Sequence, residues 1–210
     1  MSEIKALLFD FDGVICDTES QYTEFWKRIS PLYFDDPNLW TKVKGTTLKS
    51  MEKTFNMAPA TFQAVTEALD HFEMHELEYE YIPGAWEFLN EARRRGYRTA
   101  MVTSSNLSKL GQIYAHRPEL EHIFDAVLTS ECFAESKPSP DCFLRAMKTL
   151  GVGPSEAAVF EDSVNGLTAG RDSGALVIGL TTTEPMETVK KYSTWQIEDF
   201  KNAEDIFRKL

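Results

Sequence analysis

Four acidic residues, one lysine and a run of hydroxyls stand out in this chain of 210 residues. Asp10 and Asp12 form an Asp-Phe-Asp-Gly stretch directly after the apolar run Ala6, Leu7, Leu8, Phe9. Thr103, Ser104 and Ser105 follow a second apolar run, Lys137 sits between Ser136 and Pro138 ahead of a helical pattern, and Glu161, Asp162 and Ser163 end a third run. Carboxylates in this number can hold a hard cation through oxygen, attack as nucleophiles or pass protons. A lysine, hydroxyls and a helix N-terminus can together neutralise an anion.

These residues work together only if the fold gathers them. Apolar runs at 6–9, 99–102, 126–128, 157–160 and 176–180 read as buried strands of a parallel sheet. Helical patterns lie between several of them. Residues 85–95 place Trp86, Leu89 and Ala92 at helical spacing and stop before Gly96. Leu107, Leu110, Ile113 and Tyr114 line a second helix; Phe143, Leu144, Met147 and Leu150 line a third, entered through Pro140 and Asp141 and ended by Gly151. The alternation predicts an α/β fold, a doubly wound and mostly parallel sheet with helices on both faces. Ligands of such sheets bind at the carboxyl ends of the strands, where all the residues above would sit.

Residues 18–81 break the rhythm. They contain no strand pattern and read as helices over 19–29, around 38–43, over 48–55 and from 59 to about 79, with 30–37 as a loop. Pro83 and Gly84 return the chain to alternation. This predicts a helical cap inserted after the first strand, with 1–16 and 83–210 forming the core and 17–82 the cap. Residues 198–210 read as a closing amphipathic helix.

Composition narrows the function. Fourteen Phe and four Trp exclude a disordered chain. A formal net charge of −11 argues against nucleic acid and anionic membrane surfaces as partners. Cys16, Cys132 and Cys142 show no Cys-x-x-Cys spacing, so they are expected to be small buried hydrophobes in a reducing compartment. The opening MSEIKALLFDFDG reaches acidic residues too early for a signal peptide, and no apolar run has transmembrane length, so the cytoplasm is expected. His71 and His75 lie four apart, but Phe72 follows the first, so the pair is not His-Glu-x-x-His and reads as exposed helix surface.

The motifs LLFDFDGVICDT, VTSSN, SKPSPDCF and VFEDSVNG, in this order, resemble the haloacid-dehalogenase-like hydrolase superfamily. Within it they are most similar to the branch of β-phosphoglucomutases and small sugar-phosphate phosphatases. The resemblance runs from Ala6 to about Gly179 and is thinnest in the helical insert. It implies a Rossmann-like core with a helical cap and a magnesium-dependent phosphatase of a small phosphorylated metabolite; a monomer or weak dimer is expected. The family's pattern makes Asp10 the nucleophile that forms an aspartyl-phosphate, and Asp12 the general acid and then base. Crowded carboxylates are expected to help Asp12 keep its proton. The Asp10 side chain, the Asp12 backbone carbonyl and the Asp162 side chain match the family's magnesium ligands; Glu161 is the next candidate, directly or through water. Lys137 would neutralise phosphoryl oxygens, and the Thr103 hydroxyl with the Ser104 N–H would hydrogen-bond them. Ser105 is expected to open the following helix. The family also places a loop of the insert over the site, which makes Lys44, Thr46 and Thr47 specificity candidates.

Two alternatives follow. The first is a β-phosphoglucomutase-like mutase. Such mutases carry a histidine twelve residues after the nucleophile, where this chain has Tyr22, and an arginine shortly after the cap glycine matched to Gly45, where it has Leu48 or Lys49. The second is a receiver-like phospho-acceptor switch, but receivers put their Asp on a later strand and lack an insert of this size. A dehalogenase would dispense with Asp12 and Asp162, which are present; pyrophosphatase activity stays open.

Overall fold

The structure is a computed structural model and describes residues 3–36, 38–43 and 48–210. Its centre is a parallel sheet of six strands in the order β3-β2-β1-β4-β5-β6. The strands are β1 (Ala6–Phe9), β2 (Arg98–Val102), β3 (Ala126–Leu128), β4 (Ala157–Glu161), β5 (Leu176–Leu180) and β6 (Trp195–Ile197). The order reverses at β1, which pairs with β2 on one side and β4 on the other, and opens a crevice beyond its carboxyl end.

β1 is buried on both faces because its side chains alternate. Leu7 and Phe9 enter one apolar cluster, Ala6 and Leu8 the other. The first face is covered by α4 (Ala85–Arg94), α5 (Leu107–His116) and α9 (Ala203–Phe207). There Phe9 stacks on Phe160 at 4.7 Å and Phe88 on Phe207 at 4.5 Å. The second face is covered by α6 (Asp141–Leu150) and α7 (Val164–Asp172), through Phe143, Met147 and Ala169. Each fully buried Phe contributes about 1.5–3 kcal/mol by leaving water.

Between β1 and α4 the described residues form α1 (Glu19–Tyr33), a short turn of helix at Leu39–Thr41, α2 (Leu48–Thr54) and α3 (Pro59–His75), and no strand. The chain leaves and re-enters the sheet through two segments that run side by side. Cys16 pairs antiparallel with Tyr81, Asp17 N–H donates to Glu80 O at 2.8 Å, and Ile82 N–H donates to Ile15 O at 2.9 Å.

Several expectations are corrected. α1 continues to Tyr33, through Pro31, where the sequence predicts a loop from residue 30. Pro31 falls in the last turn and cannot supply the N–H that would reach Lys27 O, but little helix remains beyond it to be disrupted; the Ser30 hydroxyl donates to Trp26 O at 2.6 Å. α3 stops at His75, not near 79, and the backbone of residue 78 is bonded to a side chain of α1 instead of to its own helix. The Gln21 amide donates to Glu78 O at 2.9 Å and accepts from its N–H at 2.8 Å, as a neighbouring strand would. The closing helix is only α9, since Phe200 drops into the aromatic core and its N–H donates to Pro83 O at 2.9 Å. β6, α7 and α8 (Met186–Val189) are additions to the expected elements. Cys16 and Cys142 are buried as expected, but Cys132, in a turn after β3, is exposed. No described helix is long and apolar enough to cross a membrane.

Candidate active site

The carboxyl ends of β1, β2 and β4 bring the predicted residues to one place. Asp10 follows β1 directly, with its N–H on Phe160 O at 3.0 Å. Lys137, from the loop before α6, reaches in with Nζ 2.8 Å from Asp10 Oδ1, 2.6 Å from Glu161 Oε1 and 3.1 Å from Val102 O. Lys137, Glu161 and Asp162 are all buried. Glu161 is saturated: Oε1 accepts from Lys137, while Oε2 accepts the N–H groups of Asp162 and Ser163 and the Ser163 hydroxyl. Thr183 donates a short hydrogen bond to Asp162 Oδ2.

Two glycines make room for these carboxylates. A Cβ on Gly166 would lie 1.8 Å from Glu161 Oε1. One on Gly13 would lie 2.0 Å from Asp162 Oδ2, and Gly13 also turns at φ +73°, where other residues are strained.

Ligand oxygens of Asp10, Glu161 and Asp162 lie within 4.8 Å of one another. Burial pushes the Asp10 carboxyl up to about 7; Lys137 opposes this, and the negative charges of Glu161 and Asp12 add to it. Burial, with Glu161, Glu19 and Asp10 nearby, also holds Asp162 well above the usual carboxylate range. From the sequence, crowding is expected to act on Asp12; the groups it presses on here are Asp10 and Asp162. Burial works against charge on Lys137 too, but Asp10 and Glu161 outweigh it and keep the ammonium. One lysine among three clustered acids leaves an excess of negative charge that a hard divalent cation with oxygen ligands would balance.

Asp12 points elsewhere. Its Oδ1 accepts from the Thr18 hydroxyl and from Lys109 Nζ at 2.7 Å; its Oδ2 accepts from Lys109 at 2.8 Å and the Ser105 hydroxyl at 3.2 Å. Its side chain is outside the acid cluster, so only its backbone carbonyl remains for the metal role expected of it. Thr103 is fully buried, and its hydroxyl accepts the Ser105 N–H at 3.0 Å. Ser104 lines the cavity beside it. Asn106, not Ser105, caps α5, accepting from Lys109 N–H at 2.9 Å. Lys44, Thr46 and Thr47 lie outside the described residues.

Sequence reasoning missed Lys109. The helix face read as Leu107, Leu110, Ile113 and Tyr114 is turned: Leu107 is 61% exposed, while Lys109 is 4% exposed. One signal was available. A lysine in the first turn of a helix opposes the helix dipole and needs an anionic partner.

The cavity above these residues holds about 390 Å³. Asp10, Asp12, Lys137, Ser104 and Lys109 form its floor; Tyr22, Trp26, Trp40, Phe62, Leu69 and Glu73 of the inserted helices form its roof. Tyr22 is occupied, its hydroxyl donating to Glu73 Oε1 at 2.7 Å.

Comparison with known proteins agrees with this architecture. Residues 4–174 match the family described as haloacid dehalogenase-like hydrolase. YhcW of Bacillus subtilis (strain 168) is 32% identical over 187 residues, covering 81% of this chain and 80% of YhcW. A beta-phosphoglucomutase of the same organism is 27% identical, covering 87% and 86%. The crystal structure of CbbY from Rhodobacter sphaeroides in complex with phosphate superposes with a TM-score of 0.77 at 27% identity, over 94% of this chain and 95% of that one. A receiver-like switch does not fit a chain whose match to a hydrolase family spans both the sheet and the inserted helices. With Asp10, Lys137, Glu161 and Asp162 gathered beyond β1 under a helical roof, the chain belongs to the haloacid dehalogenase-like hydrolase family and is an enzyme.

Proposed function

We propose that the protein is a magnesium-dependent phosphatase of small phosphorylated metabolites of sugar-phosphate type, working through an aspartyl-phosphate on Asp10. The observation that carries this reading is the Asp10 carboxylate, backed by Lys137 and facing a cavity that separate helices roof over. The helices within 17–82 act as the cap. A relative of the same fold that crystallises in complex with phosphate supports a phosphoryl ligand for this chain.

Asp10, Asp162 and the Asp12 carbonyl would hold the magnesium ion, which when bound supplies charge to neutralise an incoming phosphate dianion. Glu161 has both oxygens engaged and fixes Lys137. The Asp10 oxygen attacks phosphorus in line, and Lys137 and the hydroxyl-rich turn after β2 receive the phosphoryl oxygens. Asp12 gives a proton to the leaving oxygen and then takes one from the water that cleaves the aspartyl-phosphate. The cap excludes bulk water and reads the rest of the substrate. Tyr22 in place of a histidine, engaged by Glu73, favours water as the acceptor over a sugar hydroxyl.

The test is a panel of phosphomonoesters, including β-glucose 1-phosphate, scored for inorganic phosphate and for relocated phosphoryl groups. Phosphate release that needs magnesium and stops with chelator is the expected result. Relocation exceeding release would replace the reading with a mutase, and no turnover of any ester would sink it.

Magnesium should also stabilise the fold, in a pH-dependent way. Folded Asp10 keeps its proton up to about 7, whereas the unfolded value is 3.8. The folded state therefore binds more protons between these values, and metal-free stability falls as pH rises through that window. Protons compete with magnesium for the same oxygens. The shift in thermal midpoint on adding magnesium is thus expected to be larger near pH 8 than near pH 5.5.

A further inference from the structure

Lys109 is costly to place where it stands. It is 4% exposed, in the first turn of α5, so both desolvation and the helix dipole oppose its charge. A methionine would fill the space without either cost. What the lysine adds is a pair of hydrogen bonds, 2.7 and 2.8 Å long, to the two oxygens of Asp12. Both bonds come from one ammonium, which anchors the two carboxylate oxygens from the same side. The other side of Nζ meets the Tyr22 ring, 4.5 Å from its centroid, and Tyr22 is bonded in turn to Glu73. Asp12 and Lys109 belong to the sheet and its helices; Tyr22 and Glu73 belong to α1 and α3 of the insert. A continuous polar chain thus runs from Asp12 through Lys109 to the roof of the cavity.

We infer that Lys109 is a positioning residue for Asp12. It aims the carboxyl at the leaving oxygen, and contact with Tyr22 makes that aim depend on the inserted helices being closed over the site. The inference rests on the reading of Asp12 as general acid.

The test compares phenyl phosphate, whose leaving group needs a proton, with p-nitrophenyl phosphate, whose leaving group needs little. Lys109→Met is expected to lower kcat/KM about 100-fold on phenyl phosphate and only about fivefold on p-nitrophenyl phosphate. Lys109→Arg, whose fork can return two hydrogen bonds, should recover at least about tenfold of the loss on phenyl phosphate. In an Asp12→Asn background Lys109→Met should add less than about twofold, because both changes act on one step. Equal losses on the two esters, or losses that multiply with Asp12→Asn, would overturn the inference and leave Lys109 a packing residue. Circular dichroism checks the fold. If Lys109→Met does not fold, Tyr22→Leu decides: it keeps the ion pair but removes the ring, and a loss confined to phenyl phosphate is expected. No such selectivity in Tyr22→Leu would overturn the inference equally. The two readings fail separately. Asp12→Asn without leaving-group selectivity removes the acid role itself; a selective Asp12→Asn beside a non-selective Lys109→Met removes only Lys109.

Discussion

Asp10→Asn is expected to lower magnesium-dependent phosphate release by at least about 1,000-fold, a conservative figure for losing a covalent nucleophile. The replacement keeps shape and volume, so steric effects do not contribute. It also removes one carboxylate from a cluster in which Asp10 is already pushed up to about 7 by burial. Thermal stability without metal is therefore expected to hold or rise while activity disappears. Phosphate release and a thermal melt of the same preparation check both halves. Turnover within about tenfold of the parent would remove Asp10 from the nucleophile's role, because a neutral amide cannot form the phosphoenzyme.

Lys137→Met should damage both stability and activity. The ammonium is the shared partner of Asp10 and Glu161, and Glu161 is fully buried. Breaking a buried ion pair from one side leaves an uncompensated charge and costs about 3–5 kcal/mol. For a chain of this size that corresponds to a fall in thermal midpoint on the order of 10 °C. Activity should fall as well, because the phosphoryl oxygens lose a cation. The double change Lys137→Met with Glu161→Gln separates the two effects. It removes the stranded charge, so much of the stability should return while activity stays lost. If the single change left the midpoint unmoved, Lys137 would not be holding the acid cluster together.

Asp10, Lys137, Glu161 and Asp162 were legible because each lies beside a strand end or helix start that apolar patterning announces. The sheet then does the gathering, and register places Phe9 opposite Phe160 without further information. Lys109 was not legible in the same way. Its partner Asp12 is 97 residues away, and apolar spacing on α5 pointed to Leu107 for the buried face. A single ion pair outweighed that pattern. Other departures share this character. β6 is three residues with a polar centre, too short to show periodicity. The chain leaves α3 after His75 and a distant glutamine brackets Glu78, and Phe200 leaves a helical pattern to fill an aromatic core. Local pattern sets the elements; long-range contacts set where they stop.

The paired segments at Cys16 and Tyr81 bear on how such a protein can change over generations. Because the chain departs and returns side by side, the inserted helices form a cassette joined to the sheet at one narrow seam and resting on α5. A foreign helical segment would need ends that arrive at that separation to be spliced in without disturbing β1. Selection could then vary the roof while the floor stays as it is. Lys109 marks the limit of that freedom, since any incoming cassette must also offer a surface for it in place of Tyr22.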